Sequence, residues 1–377
     1  MSATLDGHRP RNVDWKRAAA LLYGDWGTSK AYVIGLAFAA ASFSALPLIL
    51  AVCVITGLVA VNYAVLCRHF PDGGGVYSAA RVHGRLLAVI GALLLLADLT
   101  VTAALSGWAG LSYLTASGDA IPAIGFLKEH LTLATIGVLL LMGWLNWYGP
   151  RHSGNLAVAF TAPTLLVVGV LVILSFPHLT TRFLERPHDQ PGHLWIQFVS
   201  MILALSGVEA IANLTGVMKA DPGSPPDRPT VRRTSAKAIW PVAAEVILGM
   251  ALLGWAMLSL PAVLPDSIRD AGPEAIRNAL NARGEDILRF MGEMYGRAAF
   301  GPWFGTAFGW VVGVVFCLLL LSAANTAIVA MTGLLYMMAR DREMPAALTR
   351  LNRHGVPVWP LAVVIGLPVL VLLGTGD

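Results

Sequence analysis

Long apolar runs alternate with short polar segments along almost the whole chain. Nine of these runs approach or exceed the roughly 20 residues that a helix needs to cross the hydrocarbon core of a bilayer. Their predicted bounds are 18–41, 43–66, 86–115, 131–149, 155–176, 194–218, 238–262, 304–338 and 357–374. The pattern therefore predicts an all-α polytopic membrane protein.

Composition supports this prediction and excludes other classes. The 377 residues are 56% hydrophobic and only 13% charged, whereas soluble domains carry about 25% charged residues. The three cysteines fall in or at the ends of apolar runs and are expected to be buried and unpaired. The net charge of +4 does not predict nucleic-acid binding. We find no nucleophile–base pair, metal constellation or nucleotide loop, so we expect no enzyme, no catalytic residue and no cofactor.

The distribution of basic residues predicts the orientation. With the N-terminus inside, about twice as many Lys and Arg residues fall on the inner side as on the outer side. We therefore expect a multi-pass protein of the cell membrane whose segment 1–17 is cytoplasmic. The long segment 265–303 is then an extracellular loop, and its balanced charges predict one or two short surface helices.

Five ionisable side chains lie inside predicted spans, where burial in lipid is costly and usually signals a cavity or a partner. They are Asp25, Lys30, Asp98, Glu209 and Glu245. For any one carboxylate, a structural role bonded to neighbouring helices remains open. Three acids in different spans, each beside small or hydroxyl residues, favour a functional site.

The third span carries a polar stripe. Asp98, Thr102 and Ser106 follow one another at i, i+4 spacing, so one helix face presents a carboxylate and two hydroxyls. Hard cations prefer oxygen ligands, and a proton relay needs a carboxylate in a dry site. The stripe is thus a candidate ion-binding face.

The first and sixth spans contain glycine beside an acid near their middle. The first has Gly24 and Gly27 around Asp25, and the sixth has Gly207 two residues before Glu209. Such positions predict broken helices, which free backbone groups for ions or substrates. Two broken spans five apart fit an inverted repeat of five helices each, although coincidental glycines remain an alternative.

Several segments resemble one known superfamily. "YGDWGTSKAY" (23–32) is similar to a first-helix motif, "FPDGGGVYSAAR" (70–81) to the loop after helix two, "ALSGVEAIAN" (204–213) to a sixth-helix motif, and "NTAIVAMTGLLYMMARDREMP" (325–345) to helix eight with its basic exit. The chain resembles the amino acid–polyamine–organocation (APC) superfamily, and within it the Kup/KimA-type potassium uptake branch.

This resemblance implies the LeuT-like five-plus-five inverted repeat. The first repeat is then 18–176, and 177–374 is an incomplete second repeat, truncated after helix nine. The resemblance also implies the substrate- or ion-binding residues, which are Asp25, Thr28, Tyr32, Asp98, Thr102, Ser106, Ser206 and Glu209. No metal other than K⁺ is implied.

The function that follows is secondary active transport, with proton-coupled K⁺ uptake as the leading expectation. An amino acid permease and a truncated, transport-inactive membrane protein remain alternatives. Lys30 stands where the potassium branch carries a neutral residue, so it either neutralises Asp25 or serves as a cation surrogate. The expected partners are the lipid bilayer, protons and a small cation or amino acid, with a homodimer left open.

Overall fold

The structure, a computed structural model, describes residues 10–116, 122–187, 191–202, 207–225 and 228–375. Sixteen α-helices account for most of these residues. In chain order they are α1 (Trp15–Trp26), α2 (Ser29–Ala41), α3 (Leu46–His69), α4 (Gly75–Arg81), α5 (Arg85–Thr115), α6 (Pro122–Glu129), α7 (Leu131–Asn146), α8 (Pro150–Ser175), α9 (Pro191–Ile202), α10 (Glu209–Leu214), α11 (Arg232–Ser259), α12 (Asp266–Arg269), α13 (Pro273–Asn281), α14 (Ile287–Phe300), α15 (Pro302–Arg340) and α16 (Val358–Thr375).

Each of the nine predicted spans coincides with helical structure. Six described helices, α3, α5, α8, α11, α15 and α16, are long and apolar enough to cross a bilayer, and α7 is a shorter apolar helix. The first and sixth spans are each divided, into α1 and α2 and into α9 and α10. The predicted all-α membrane fold with two interrupted helices is confirmed.

The first interruption lies at Gly27 and Thr28, which form a turn between α1 and α2. A Cβ on Gly27 would lie 2.4 Å from the carbonyl oxygen of Tyr23 and 3.0 Å from its ring, so only glycine fits beneath that side chain. In the sixth span, Gly207 has a φ of +115° just before α10, a conformation that glycine adopts without strain. Both breaks therefore depend on glycine.

Gly24 does not take the helix-breaking role that the sequence suggested. It lies inside α1, and a Cβ there would be 2.4 Å from Ser322 Oγ and 3.0 Å from Thr326 Oγ1 of α15. The Thr326 hydroxyl donates to the carbonyl of Leu21 at 2.8 Å. Gly24 therefore allows close packing of α1 on α15, and the break comes three residues later.

The segment 265–303 differs from the expected short surface helices. It contains α12, α13 and α14, and one side of α14 packs against α15. Arg289 of α14 is buried. Its guanidinium carbon lies 5.4 Å from the centre of the Trp310 ring, and one guanidinium nitrogen lies 3.7 Å from a carboxylate oxygen of Asp286. Burial raises the pKa of Asp286 although arginines oppose the shift. A Cβ on Gly35 of α2 would lie 2.2 Å from the Gly284 carbonyl oxygen, so the segment also packs tightly on α2, the second half of the first span.

The three cysteines, Cys53, Cys67 and Cys317, are buried and unpaired, as expected. The short helix α4 begins at Gly75, the last of three consecutive glycines. Helix α1 packs against α8, α11 and α15, and this places the first break in the interior of the bundle.

Candidate functional site

The two helix breaks face each other. A Cβ on Gly207 would lie 2.8 Å from Asp25 Cγ and 2.8 Å from the backbone nitrogen of Trp26. The residue just before α10, in the second half of the sixth span, therefore lies directly against the end of α1. Two segments 180 residues apart in sequence meet at the place where each helix is interrupted.

Three carboxylates gather around this junction. Asp25 is 1% exposed and Glu209 is 8% exposed. Glu209 and Asp98 both lie close enough to Asp25 to interact with it electrostatically. Asp98, on α5, is the exposed member of the three. One oxygen of Asp25 is buried without a hydrogen-bond partner. Within the described ranges, none of the three acids forms an ion pair.

Three backbone N–H groups at the breaks already have acceptors within the protein. The N–H of Gly207 donates to both carboxylate oxygens of Glu209 at 3.0 Å. At the first break, Gly27 N–H donates to the Tyr23 carbonyl at 2.8 Å and Thr28 N–H to the Asp25 carbonyl at 3.0 Å. These three N–H groups are therefore not free to bind a ligand, whereas the carboxylate oxygens at the breaks face the junction.

The predicted hydroxyl ligands are only partly joined to this cluster. The hydroxyl of Tyr32 on α2 lies 3.4 Å from Ser106 Oγ on α5, which links the first and third spans. Thr102 is half-buried and lies on α5, one turn closer to Asp98 than Ser106 is. The Thr28 hydroxyl donates to the Asp25 carbonyl within the turn. Ser206 lies outside the described residues.

Sequence reasoning missed Tyr63 of α3, which lies near enough to Glu209 and Asp98 for their charges to act on its hydroxyl. The signal that was available is the dipeptide Asn62–Tyr63 in an otherwise apolar stretch of the second span. An isolated tyrosine does not reveal which neighbouring helix it faces. The position of Tyr63 near the acidic residues could therefore be identified only from the three-dimensional structure.

Lys30 does not pair with Asp25. Its ammonium lies 2.8 Å from a carboxylate oxygen of Glu245 on α11, and the other oxygen of Glu245 accepts a hydrogen bond from the Tyr23 hydroxyl at 3.0 Å. Lys30 is fully buried. Glu245, whose partner could not be identified along its own helix, thus has two partners from the first span.

A cavity of about 700 Å³ lies elsewhere, next to α10 on the side predicted to be cytoplasmic. Its lining includes Arg11, Arg68, Arg228 and Arg340. Arg11 pairs with Asp72 at 2.9 Å. The remaining positive lining disfavours a resident cation, so the carboxylate cluster is the better candidate for cation binding.

Two of the sequence motifs meet near this end of the molecule. The Tyr77 hydroxyl of α4 donates to Asp341 at 3.0 Å, and Arg81 also pairs with Asp341. Arg85 pairs with Glu343 at 2.8 Å. Burial, followed by the bond to Asp341, raises the pKa of Tyr77 to about 12. The end of α15 is therefore tied to the start of α5 through side chains.

Comparison with known proteins identifies relatives that match most of the chain. A family model described as amino acid permease matches residues 13–376. The chain is 27% identical over 356 residues to the potassium transporter KimA of Bacillus subtilis, covering 88% of this chain and 52% of that protein. The chain therefore spans about half the length of this curated relative.

Two solved structures are also similar. Mhp1, a nucleobase-cation-symport-1 family transporter in a closed conformation with bromovinylhydantoin bound, has a TM-score of 0.46 and 13% identity, covering 99% of this chain and 95% of that one. A mutant manganese transporter of Eremococcus coleocola has a TM-score of 0.28 and 17% identity, covering 96% and 92%.

Proposed function

Because the chain belongs to the amino acid permease family of membrane transporters, we propose that it is a secondary active transporter that couples K⁺ uptake to proton entry. The main support is the cluster of Asp25, Glu209 and Asp98 at the facing helix breaks. Within the described part of the chain, no Lys, Arg or His neutralises these acids. Such a cluster needs a cation or protons from outside the protein.

The occupation of three backbone donors at the breaks favours a cation over an amino acid. A substrate carboxylate bound at broken helices needs free N–H groups at the helix ends. Here Glu209 already accepts from the Gly207 N–H, and local turn bonds use those of Gly27 and Thr28. An amino acid would also bring its own carboxylate against those of Asp25 and Glu209, which repel it.

Oxygen atoms suited to K⁺ surround the junction. K⁺ is commonly bound by oxygen ligands that replace its hydration shell. We propose Asp25, Thr28, Tyr32, Ser106 and Glu209 as the residues nearest the ion. Thr102, Asp98 and Ser206 complete the proposed set along the same pathway. The similarity to a potassium transporter agrees with this choice.

Proton coupling follows from the mutual repulsion of the acids. Carboxylates that share a site of low dielectric do not all hold a negative charge unless a cation is present. A bound K⁺ supplies that cation, and a bound proton relieves the same repulsion. The two ions are therefore linked through the occupancy of one cluster.

We further propose a cytoplasmic N-terminus and a location in the cell membrane, supported by the excess of Lys and Arg on that side. The proposed repeats are residues 18–176 and 177–374. Each begins with a span that is interrupted at glycine, which supports this division.

The test is a flux measurement with the protein reconstituted in liposomes. Uptake of K⁺ is compared with uptake of Na⁺ and of a panel of amino acids under an imposed proton gradient. Asp25→Asn should lower K⁺ uptake at least about tenfold, because a charge-assisted ligand contributes about 1.5–3 kcal/mol. Glu274→Gln, an exposed acid on α13, is the control and should leave uptake unchanged.

Each outcome decides between the functions. Gradient-dependent K⁺ uptake that is lost in Asp25→Asn supports the proposal. Uptake of an amino acid in place of K⁺ overturns it in favour of the permease alternative. Absence of flux for every substrate overturns it in favour of a transport-inactive protein.

A further inference from the structure

A second charged cluster spans the first helix break. Lys30 belongs to α2, Tyr23 to α1 and Glu245 to α11, so three helices contribute to it. The ammonium lies 2.8 Å from one oxygen of Glu245 and 4.9 Å from the centre of the Tyr23 ring. The Tyr23 hydroxyl donates to the other oxygen at 3.0 Å. The proposed transport mechanism does not use this cluster.

The surroundings are shaped to accept the lysine side chain. A Cβ on Gly249, one turn after Glu245 in α11, would lie only 2.7 Å from Lys30 Cδ. The Tyr23 ring rests on Gly27, where a Cβ would be 3.0 Å from the ring. Glycine therefore makes room on two sides, for the lysine stem and for the aromatic ring above which the ammonium lies.

We propose that these residues form a second monovalent-cation site, distinct from the acidic cluster, and that the tethered ammonium of Lys30 fills it. Glu245 supplies the carboxylate, and Tyr23 supplies both a hydroxyl oxygen and a ring face that attracts cations. The ligand class is a small monovalent cation such as Na⁺, K⁺ or an alkylammonium ion.

Position argues for a cation site rather than an incidental ion pair. Tyr23 and Lys30 lie on opposite sides of the break, and one carboxylate holds both. A cation here joins the two halves of the broken helix to α11, where the interrupted helix lacks continuous backbone bonds. Because the charge is covalently attached, the wild-type protein requires no second ion at this place.

A path to the site exists. Glu245 keeps 22% of its side chain exposed and lines a groove of about 270 Å³ between α1, α8 and α11. Lys16 and Trp15 line the same groove nearer the start of α1. Most of the other lining side chains are apolar, so the groove best suits an alkylammonium ion, whose hydrocarbon part can lie along it while the ammonium reaches Glu245 once the lysine side chain is removed.

The experiment is chemical rescue of Lys30→Ala. This variant removes the tethered cation and leaves Glu245 without a charge partner. Its melting temperature in detergent should rise by several degrees as Na⁺, K⁺ or propylammonium chloride is raised through the millimolar range, because the cation binds only the folded state. The wild-type melting temperature should change much less over the same range.

Matched variants separate this proposal from a general salt effect. Lys30→Ala/Glu245→Ala lacks the carboxylate and should lose the response. Lys30→Met retains a side chain that occupies the space. It should therefore need a cation concentration at least about tenfold higher than Lys30→Ala for the same rise in melting temperature. A response of equal size in all three variants, or none in Lys30→Ala, overturns the proposal.

Yield in membranes gives a second readout for a poorly folding variant. If Lys30→Ala accumulates only when cells grow with an added alkylamine, the proposal is supported. If the Lys30→Ala/Glu245→Ala protein accumulates normally while no cation raises the yield of Lys30→Ala, it is overturned.

The stability measurements do not depend on which substrate is transported. Failure of K⁺ flux in the wild type would refute the proposed function and leave this site intact. Conversely, normal wild-type flux with a cation-insensitive Lys30→Ala refutes only the second site.

Discussion

Replacing Gly207 by alanine tests whether the two helix breaks are built against each other. Gly207 has a φ of +115°, which side-chain-bearing residues rarely adopt. The new Cβ would lie 2.8 Å from Asp25 Cγ and 2.8 Å from the Trp26 backbone nitrogen. A backbone atom inside a helix cannot swing away as the tip of a side chain can. The breaks must therefore separate or distort.

The magnitude follows from two costs. Holding alanine in a sparsely populated backbone conformation costs about 1–3 kcal/mol. Overpacking a dense interior costs about 1–3 kcal/mol more. The combined loss of about 2–6 kcal/mol corresponds to a fall in melting temperature on the order of 10 °C for a protein of this size.

The assay is thermal unfolding of the detergent-solubilised protein, followed by flux measurements on the folded fraction. Gly91→Ala is the control, because Gly91 lies in α5 and a Cβ there meets no atom within 4 Å. That control should be neutral or stabilising by up to about 1 kcal/mol. If Gly207→Ala has the same melting temperature as the Gly91→Ala control and transports normally, the direct contact between the two breaks is refuted.

Two further predictions concern charged groups. Glu245→Gln should destabilise the protein by about 3–5 kcal/mol, because it leaves the fully buried Lys30 ammonium without its charge partner. Lys30→Met should cost less, because Glu245 is partly exposed and keeps the Tyr23 hydroxyl, and Lys30→Met/Glu245→Met should be close to neutral. Thermal unfolding of the four proteins measures this coupling, and additive losses would contradict it. Tyr77, with its pKa raised to about 12 from 10.0, favours the folded state while protonated. Its contribution should be complete below pH of about 10 and lost as pH rises through about 12. Ultraviolet titration of wild type against Tyr77→Phe measures this, and Asp341→Asn should lower the Tyr77 pKa.

Hydropathy predicted the spans well because lipid imposes a strong constraint on every helix that crosses it. The sequence also located the breaks at Gly27 and Gly207 from glycine beside an acid in mid-span. Gly24 was assigned wrongly since glycine has two uses in membrane helices. It permits unusual backbone conformations, and it allows close helix packing, as Gly24 does against Ser322.

The segment 265–303 was harder to predict because its charges suggested a solvated surface. Arg289 is instead buried with Asp286 and covered by Trp310. The partner of such a charge comes from tertiary packing, which composition does not encode. The same limit applies to Tyr63, whose acidic neighbours lie on other helices.

Helix geometry explains why Lys30 and Asp25 are not partners. Five residues along an α-helix correspond to a rotation of about 140° beyond one full turn, so positions 25 and 30 would face different directions even without a break. The break adds a further change of direction, and Lys30 meets Glu245, 215 residues away in sequence. The consequence concerns charge at the candidate site. Since the ammonium is held by Glu245, it does not neutralise Asp25, and the acidic cluster keeps its demand for an external cation. Lys30 is therefore compatible with the proposed cation substrate.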